Sequence, residues 1–271
     1  MTGQEHLLAK LKSYSLATLP HSILLVGDKG CGKHTLVKEL TKYFKIDSID
    51  ITNSLELETI QEISLRSSSC FYVIDMNSVN EKQQNVILKF LEEPTSSTYI
   101  ILLATSKSIL LDTVSNRCVS FEFEPYSTNQ LLQFLPFEPD IEMLVEYCHT
   151  PGQVLNMTVD KVKEMIELCD NVIANIGKAR FPNIFKISSK VISDDDNEYK
   201  LDVFYNILLE RLTNCFYTTL NPTYKDMYNI CSNTVKKHLD SRMNQVLLID
   251  SLVMDLHEVA RGKTLWKHFK N

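Results

Sequence analysis

The sequence predicts an α/β fold with a parallel β-sheet, followed by a region built from helices. Short apolar runs alternate with segments of helical period through about the first 125 residues, the order expected when helices connect parallel strands. A glycine-rich turn follows the first apolar run and leads directly into a helix. Beyond Pro125, the periodic segments have the spacing of helices.

The apolar runs define the expected strands, at residues 23–26, 46–51, 71–75, 99–104 and 119–123. The first, third and fourth are continuously apolar, which is typical of parallel strands covered on both faces. In the last run, apolar and polar residues alternate, so we expect this strand near an edge of the sheet.

The helices are predicted from apolar periodicity and from capping residues. We expect them at residues 4–14, after Lys33, at 57–63 with Asn53 or Ser54 as the cap, at 80–93 before Pro94, and at 108–114. Ser127 and Gln130 form a capping box at the start of the helical region. Long helices are predicted at 198–219 and 224–262. The expected domains are 1–125 (α/β), 126–160 (small helical) and 161–271 (helical).

The glycine-rich turn has the pattern G-x-x-x-x-G-K between a strand and a helix, which predicts a loop that holds the phosphates of a nucleotide. Its glycines permit backbone N–H groups to point inward, and the following helix adds its dipole. The candidate nucleotide-binding residues are Gly27, Asp28, Lys29, Gly30, Cys31, Gly32, Lys33, His34 and Thr35, hereafter the phosphate loop. A loop that keeps this shape without binding nucleotide is the alternative.

The residues expected around magnesium are incomplete. His34 stands where a serine or threonine hydroxyl usually contacts the ion, and imidazole is a poorer magnesium ligand than oxygen. Asp75 ends the third strand and is the candidate carboxylate for Mg²⁺, acting through water. Met76 follows it and has no acid–base capacity. The phosphate loop and Asp75 predict that ATP and Mg²⁺ bind. His34 and Met76 predict little or no hydrolysis.

Composition limits the remaining classes. With 44% hydrophobic and 23% charged residues the chain is typical of a globular protein, and its net charge of −6 argues against tight DNA binding by this chain alone. Seven cysteines occur singly, without a C-x-x-C pair, so we expect reduced thiols and no zinc. The sequence shows neither a signal peptide nor an apolar run of about 18 residues, which predicts a cytoplasmic protein and no membrane contact.

Residues 88–118 carry a family resemblance. Leu-Glu-Glu-Pro at 91–94, the apolar strand ending in Ala-Thr-Ser at 104–106, and Ser-Asn-Arg-Cys at 115–118 follow one another in the order seen in the AAA+ clamp-loader ATPases. Gly3-Gln4 and Pro20-His21 are also similar to that family. The resemblance covers about residues 3–160. It implies that residues 126–160 form a lid and residues 161–271 a collar for oligomerisation.

Within the family the chain is similar to the delta-prime branch of bacterial DNA polymerase III, in which Thr150-Pro151-Gly152 has its counterpart. It departs from that branch in lacking the zinc module and in having Ser115-Asn116-Arg117 where Ser-Arg is usual, so a phage-type or otherwise reduced member is plausible. The resemblance implies that Arg117 is an arginine finger acting in a neighbouring subunit and that Ser106 is a sensor. An ion pair with Glu92 or Glu93, and a turn-capping hydroxyl, are the respective alternatives.

These observations predict a delta-prime-like subunit of a hetero-oligomeric ring with other clamp-loader subunits, which loads a sliding clamp onto primed DNA. One alternative is a catalytically active small subunit of the same kind of ring. A second is a P-loop kinase for a small molecule, although the sequence offers no obvious general base for it.

Overall fold

The computed structural model describes residues 2–66, 68–92, 94, 97–136, 140–178, 189–191, 198–238 and 244–262. Glu93 of the Leu-Glu-Glu-Pro motif lies outside the described residues. The chain divides into two compact units, Met1–Gln130 and Leu131–Asn271.

The first unit contains a five-stranded parallel sheet, as the sequence predicts. Its strands are β1 (Ser22–Val26), β2 (Asp47–Asp50), β3 (Cys70–Asp75), β4 (Thr98–Ala104) and β5 (Val119–Glu122). Their order is β2-β3-β4-β1-β5, and all paired neighbours run parallel. β1 therefore lies between β4 and β5, and β5 lies at an edge, as its alternating pattern predicts.

Helices cover both faces of this sheet. The helices of the unit are α1 (Glu5–Lys12), α2 (Lys33–Phe44), α3 (Leu57–Ser64), α4 (Glu81–Glu92) and α5 (Asp112–Ser115). The apolar faces of α1 and α2 pack on the side chains of Ile23 and Leu25, whereas α3, α4 and α5 pack on the opposite face around Leu24. The short α6 (Thr128–Leu132) spans the division between the units and begins with the predicted capping box of Ser127 and Gln130.

Two predictions of local structure are wrong. Asn53 and Ser54 do not cap a helix: they belong to a 3₁₀ turn (Thr52–Ser54), and α3 starts only at Leu57. The predicted helix at 108–114 is split into a 3₁₀ turn (Lys107–Ile109) and α5. The buried amide of Gln84 explains the split, because it donates to the Ile109 carbonyl and accepts from the Leu111 N–H.

The described part of the second unit consists of helices joined by turns. They are α7 (Ile141–Tyr147), α8 (Pro151–Asn156), α9 (Val159–Asn175), α10 (Lys200–Thr219), α11 (Pro222–His238) and α12 (Gln245–Ala260). α10 packs against α9 and α11, and α11 packs against α12. Throughout the described ranges of the chain, none of the helices combines the length and apolar character that crossing a bilayer requires.

The single long helix predicted at 224–262 is wrong, because α11 ends at His238 and α12 begins at Gln245. Asn244 caps α12 by accepting hydrogen bonds from the Val246 and Leu247 N–H groups. The His238 imidazole connects three helices, with Nε2 2.8 Å from Asp202 Oδ1 on α10 and Nδ1 2.5 Å from Gln245 Oε1 on α12.

Glu210 on α10 allows a test of pH-dependent stability. Burial raises the pKa of Glu210, the nearby charge of Glu146 raises it further, and Arg211 opposes the shift. A raised pKa in the folded state stabilises the fold below the unfolded pKa, and this contribution is lost as pH rises through the folded pKa. Glu210→Gln should therefore increase stability at pH 8 by about 0.5 kcal/mol, a value limited by solvent screening, and should have little effect near pH 4.

The measurement is urea unfolding at both pH values, with the exposed residue Glu164 changed to Gln as the control. Loss of stability at pH 8 in Glu210→Gln would contradict the stated origin of the shift.

Candidate nucleotide-binding site

The phosphate loop starts from a fixed point at the end of β1. The Gly27 N–H donates to the Ala104 carbonyl at 3.1 Å, and the Phe123 N–H donates to the Val26 carbonyl at 2.8 Å. A Cβ atom on Gly27 would lie 2.7 Å from Phe123 Cβ and 2.8 Å from Cys31 Sγ. The close approach of these side chains therefore requires glycine at the first position of the loop.

The two later glycines give the loop the geometry of an anion-binding site. Gly30 and Gly32 have φ values of +81° and +102°, in the left-handed region that side chains disfavour. α2 begins at Lys33, directly after Gly32, so the N-terminal N–H groups and the dipole of the helix face the loop. This arrangement of backbone donors fits the oxygens of a phosphate chain.

Lys33 and Cys31 are the inward side chains of the loop. Lys33 is only 8% exposed, and its Nζ donates to the carbonyls of Gly27 at 2.5 Å and Asp28 at 3.0 Å. Burial raises the pKa of the Cys31 thiol, although the charge of Lys33 opposes the shift. Cys31 is therefore a protonated, space-filling side chain at neutral pH rather than a reactive thiolate.

The other side chains of the loop lie at its surface. Asp28, Lys29, His34 and Thr35 are all exposed. His34 and Thr35 lie in the first turn of α2. Position 34 is the one at which a hydroxyl usually contacts Mg²⁺, and here it carries an imidazole.

Asp75 lies at the same carboxyl edge of the sheet, at the end of β3, and is connected to β4 by Asn77. Asp75 Oδ1 accepts hydrogen bonds from the Asn77 N–H at 3.0 Å and from Asn77 Nδ2 at 2.6 Å. Asn77 Oδ1 in turn accepts from the Thr105 N–H at 3.2 Å and from Thr105 Oγ1 at 2.7 Å. Asn77 therefore fixes the candidate magnesium carboxylate to the end of the neighbouring strand.

Neither Asn77, as a partner of Asp75, nor Thr105 is predicted from the sequence. The only signal for them is their position, since both come directly after strands whose carboxyl ends meet at one edge.

Ser106, the predicted sensor, makes a local contact in this structure: its Oγ accepts from the Ser108 N–H at 3.2 Å and caps the 3₁₀ turn. Its role toward a nucleotide stays a prediction.

Met76 occupies the position after Asp75, where a catalytic acid would lie. Its side chain is 1% exposed and belongs to the apolar core on the α3, α4 and α5 face of the sheet. This position therefore supplies packing and cannot activate water. Elsewhere in the described part of the chain, His, Cys, Asp and Glu side chains do not form groups of three or more that could hold a metal ion.

Arg117 lies apart from these residues, between α5 and β5. Its Nη2 is 2.6 Å from Glu92 Oε1 and its Nη1 donates to the Thr113 carbonyl at 2.7 Å. The side chains of Arg117 and Glu92 are 38% and 47% exposed, so the pair is accessible to solvent. The ion pair named as the alternative to a finger thus exists, and it leaves the guanidinium at the surface.

The polarity of the sheet separates Arg117 from the phosphate loop. β5 runs parallel to β1, with Val119 opposite Ile23 and Glu122 opposite Val26. Arg117 precedes the amino end of β5, whereas the phosphate loop follows the carboxyl end of β1. The length of β5, roughly 13 Å at 3.3 Å per residue, therefore lies between the two, so Arg117 cannot reach phosphates bound in its own loop.

Comparison with known proteins shows similarity to subunits of DNA polymerase III. Residues 44–127, from the last residue of α2 to the segment after β5, match the family described as "DNA polymerase III, delta subunit". DNA polymerase III subunit delta' of Bacillus subtilis is 30% identical over 115 residues, which cover 42% of this chain and 33% of the relative. The chain is thus similar to DNA polymerase III subunits, in line with the clamp-loader resemblance of its motifs.

Two further similarities extend over more of the chain. DNA polymerase III subunit gamma of Buchnera aphidicola is 21% identical over 250 residues, covering 79% of this chain and 67% of the relative. A RuvB variant from Thermotoga maritima superposes with a TM-score of 0.52 at 14% identity, over 78% of this chain and 88% of RuvB, which bears on the fold alone. The chain thus spans between a third and two thirds of the length of these two DNA polymerase III subunits.

The two hydroxyls at the end of β4 provide a test of the site's internal bonding. Thr105→Val should lower the free energy of unfolding by about 1–2 kcal/mol, because Asn77 Oδ1 loses its hydroxyl donor in a half-buried position. Ser106→Ala is the matched control and should cost less, since its hydroxyl caps only a short, exposed turn. Chemical unfolding of both variants is the measurement, and a larger loss in Ser106→Ala would contradict the assignment of Thr105 to the Asp75 network.

Proposed function

We propose that this protein is a delta-prime-like subunit of a hetero-oligomeric clamp loader that loads a sliding clamp onto primed DNA. The observation that carries the proposal is the separation of two candidate sites. The phosphate loop and the buried Met76 lie at one edge of the sheet, and the solvent-accessible Arg117 lies at the other. Such a subunit holds nucleotide itself and assists hydrolysis in a neighbour. This role implies a cytoplasmic site of action.

The loop residues fit ATP better than they fit its metal. The left-handed Gly30 and Gly32, the amino end of α2 and the inward Lys33 suit a chain of phosphate oxygens. Of the candidate oxygen ligands for Mg²⁺, Asp75 has one carboxylate oxygen engaged by Asn77. When bound, Mg²⁺ would neutralise phosphate charge, and Asp75 would orient its water shell. These features support nucleotide binding with slow or absent turnover.

Arg117 would act on the nucleotide of an adjacent subunit. A planar guanidinium presents several donors to the oxygens of a phosphoryl group and stabilises the charge that develops during transfer. The Glu92 carboxylate and the Thr113 carbonyl hold it at the amino edge of the sheet, away from its own phosphate loop. Exposed apolar side chains in the second unit, namely Tyr217, Leu220 and Leu247, are available for the contacts expected of a collar.

The active small subunit remains the competing assignment within the family, and ATPase activity separates the two. The purified chain should hydrolyse ATP at or near the background rate, because Met76 cannot polarise water and His34 replaces the hydroxyl ligand. Lys33→Ala should abolish ATP binding, since the loop loses its inward charge, while Lys38→Ala, an exposed lysine on the same helix, should not.

The measurements are phosphate release and equilibrium binding of ATP. Turnover of about 1 s⁻¹ or more, a typical enzymatic rate, that disappears in Lys33→Ala would favour the active subunit. Transfer of phosphate to a small-molecule acceptor would favour the kinase.

Arg117→Ala should leave folding and ring assembly nearly unchanged, because a solvent-exposed ion pair contributes only about 0–1 kcal/mol. It should lower DNA- and clamp-stimulated hydrolysis by the assembled complex. An arginine finger is worth roughly a thousandfold or more at its own site in other systems, and a smaller loss is expected here because other sites in the ring continue to work. Arg117→Lys should restore little, since lysine lacks the planar arrangement of donors.

Steady-state hydrolysis by the reconstituted complex is the measurement, and gel filtration checks assembly. Lys42→Ala, which removes another exposed ion pair, is the control. Normal hydrolysis by an intact Arg117→Ala complex would refute the finger, and a defect confined to assembly would indicate that the ion pair with Glu92 is structural.

A further inference from the structure

Tyr126 contacts the phosphate loop from a distant part of the chain. Its hydroxyl donates a hydrogen bond to the Cys31 carbonyl at 2.8 Å, although the two residues are 95 positions apart. Tyr126 lies between the end of β5 at Glu122 and the start of α6 at Thr128. The loop is therefore bonded to the segment through which the chain leaves the α/β unit.

The planarity of the peptide bond gives this contact a directional consequence. In a trans peptide the C=O and the following N–H point in opposite directions. Because Tyr126 holds the Cys31 carbonyl on one side, the N–H of Gly32 in the same peptide is directed to the other. Gly32 is one of the left-handed residues on which the phosphate-binding shape of the loop depends. The tyrosine thus fixes one peptide plane of the predicted phosphate cradle.

The amino-terminal segment holds the tyrosine in place. A Cβ atom on Gly3, whose φ is +81°, would lie 2.6 Å from Tyr126 Cε1, so the backbone packs directly against the ring. The Gln4 side chain is 3% exposed and is fixed to the backbone of Glu124, two residues before the tyrosine. The same amide donates to the Glu124 carbonyl at 2.7 Å and accepts from the Glu124 N–H at 3.1 Å.

The hydroxyl is also kept in its donating form. Burial raises the pKa of Tyr126 to about 12, so the phenol retains its proton throughout the physiological range. The phenolic proton is directed to the Cys31 carbonyl. The contacts of Gly3 and Gln4 thus hold the segment from which Tyr126 bonds to the phosphate loop.

We propose that Tyr126 is a positioning residue for phosphate binding: its hydroxyl orients the Cys31–Gly32 peptide so that the Gly32 N–H faces the phosphate chain of a nucleotide. The proposal rests on the nucleotide binding included in the proposed function. Linkage makes the coupling reciprocal, so a bound nucleotide strengthens the attachment of the segment that leads into α6.

The test compares ATP, ADP and adenosine binding to the full chain by isothermal titration calorimetry. Tyr126→Phe should weaken ATP and ADP binding roughly fivefold, the effect expected for one hydrogen bond, and should leave adenosine binding unchanged. Tyr43→Phe is the matched control, because its hydroxyl also donates to a backbone carbonyl, that of Lys12 at 2.9 Å, away from the loop. It should leave all three affinities unchanged.

Gly3→Ala provides an independent variant, since the added methyl group must displace the Tyr126 ring. It should reproduce the selective loss of ATP and ADP affinity, at a temperature at which circular dichroism shows the variant to be folded. Equal ATP affinity in Tyr126→Phe and Tyr43→Phe, or an equal loss for adenosine, would overturn the positioning role. Absence of nucleotide binding by the unaltered chain would overturn it too, whereas the function of Arg117 in a neighbour would still stand or fall by the hydrolysis of the ring.

Discussion

The hydrogen bonds that fix the end of β1 between its neighbours are the constraint on which the candidate site depends. Ile23, Leu24 and Leu25 are fully buried, so β1 has two packed faces as well as two paired edges. Its last carbonyl and the first N–H of the loop are bonded to opposite neighbours. A strand held in this way sets the position of Gly27, from which the glycine turn and α2 continue.

The parallel sheet places the two candidate sites at opposite edges of one small domain. Every strand delivers its carboxyl end to the edge that carries the phosphate loop, Asp75 and Thr105, and every connection returns to the opposite edge. Arg117 lies on such a return, directly before β5. In the proposed ring, the loop edge of one subunit would therefore meet the arginine edge of the next.

The sequence predicted the elements that depend on strong local signals. The buried strands, the glycine turn, the capping box at Ser127 and the edge position of β5 are all confirmed, because each follows from hydrophobic period or from a side chain that bonds within a few residues. The family resemblance, which rests on motifs in a fixed order, is supported by the match of residues 44–127 to the DNA polymerase III delta subunit family. The loop residues, Ser106, Asp75 and Arg117 remain predictions as functional residues, although the structure gives each a defined place.

The failures involve contacts between residues distant in sequence. Gln84 bonds to the backbone around residue 110 and divides a predicted helix, which helical periodicity cannot reveal. Asn77 and Tyr126 bond across 28 and 95 positions, to Thr105 and to Cys31, and neither position carries a recognisable motif. The sequence identified Gly3 and Gln4 only as family-like, whereas in the structure Gly3 packs against the Tyr126 ring and Gln4 bonds to the backbone of Glu124.

The fate of ATP held by the purified chain tests the central claim most directly. The protein is mixed with less than one equivalent of radiolabelled ATP and Mg²⁺, and the bound nucleotide is recovered at intervals and separated into ATP and ADP. A subunit that binds nucleotide but lacks an acid beside Asp75 should retain intact ATP over many minutes. Rapid conversion of the bound ATP to ADP would contradict this account, because it would require a catalytic group that Met76 and His34 do not provide.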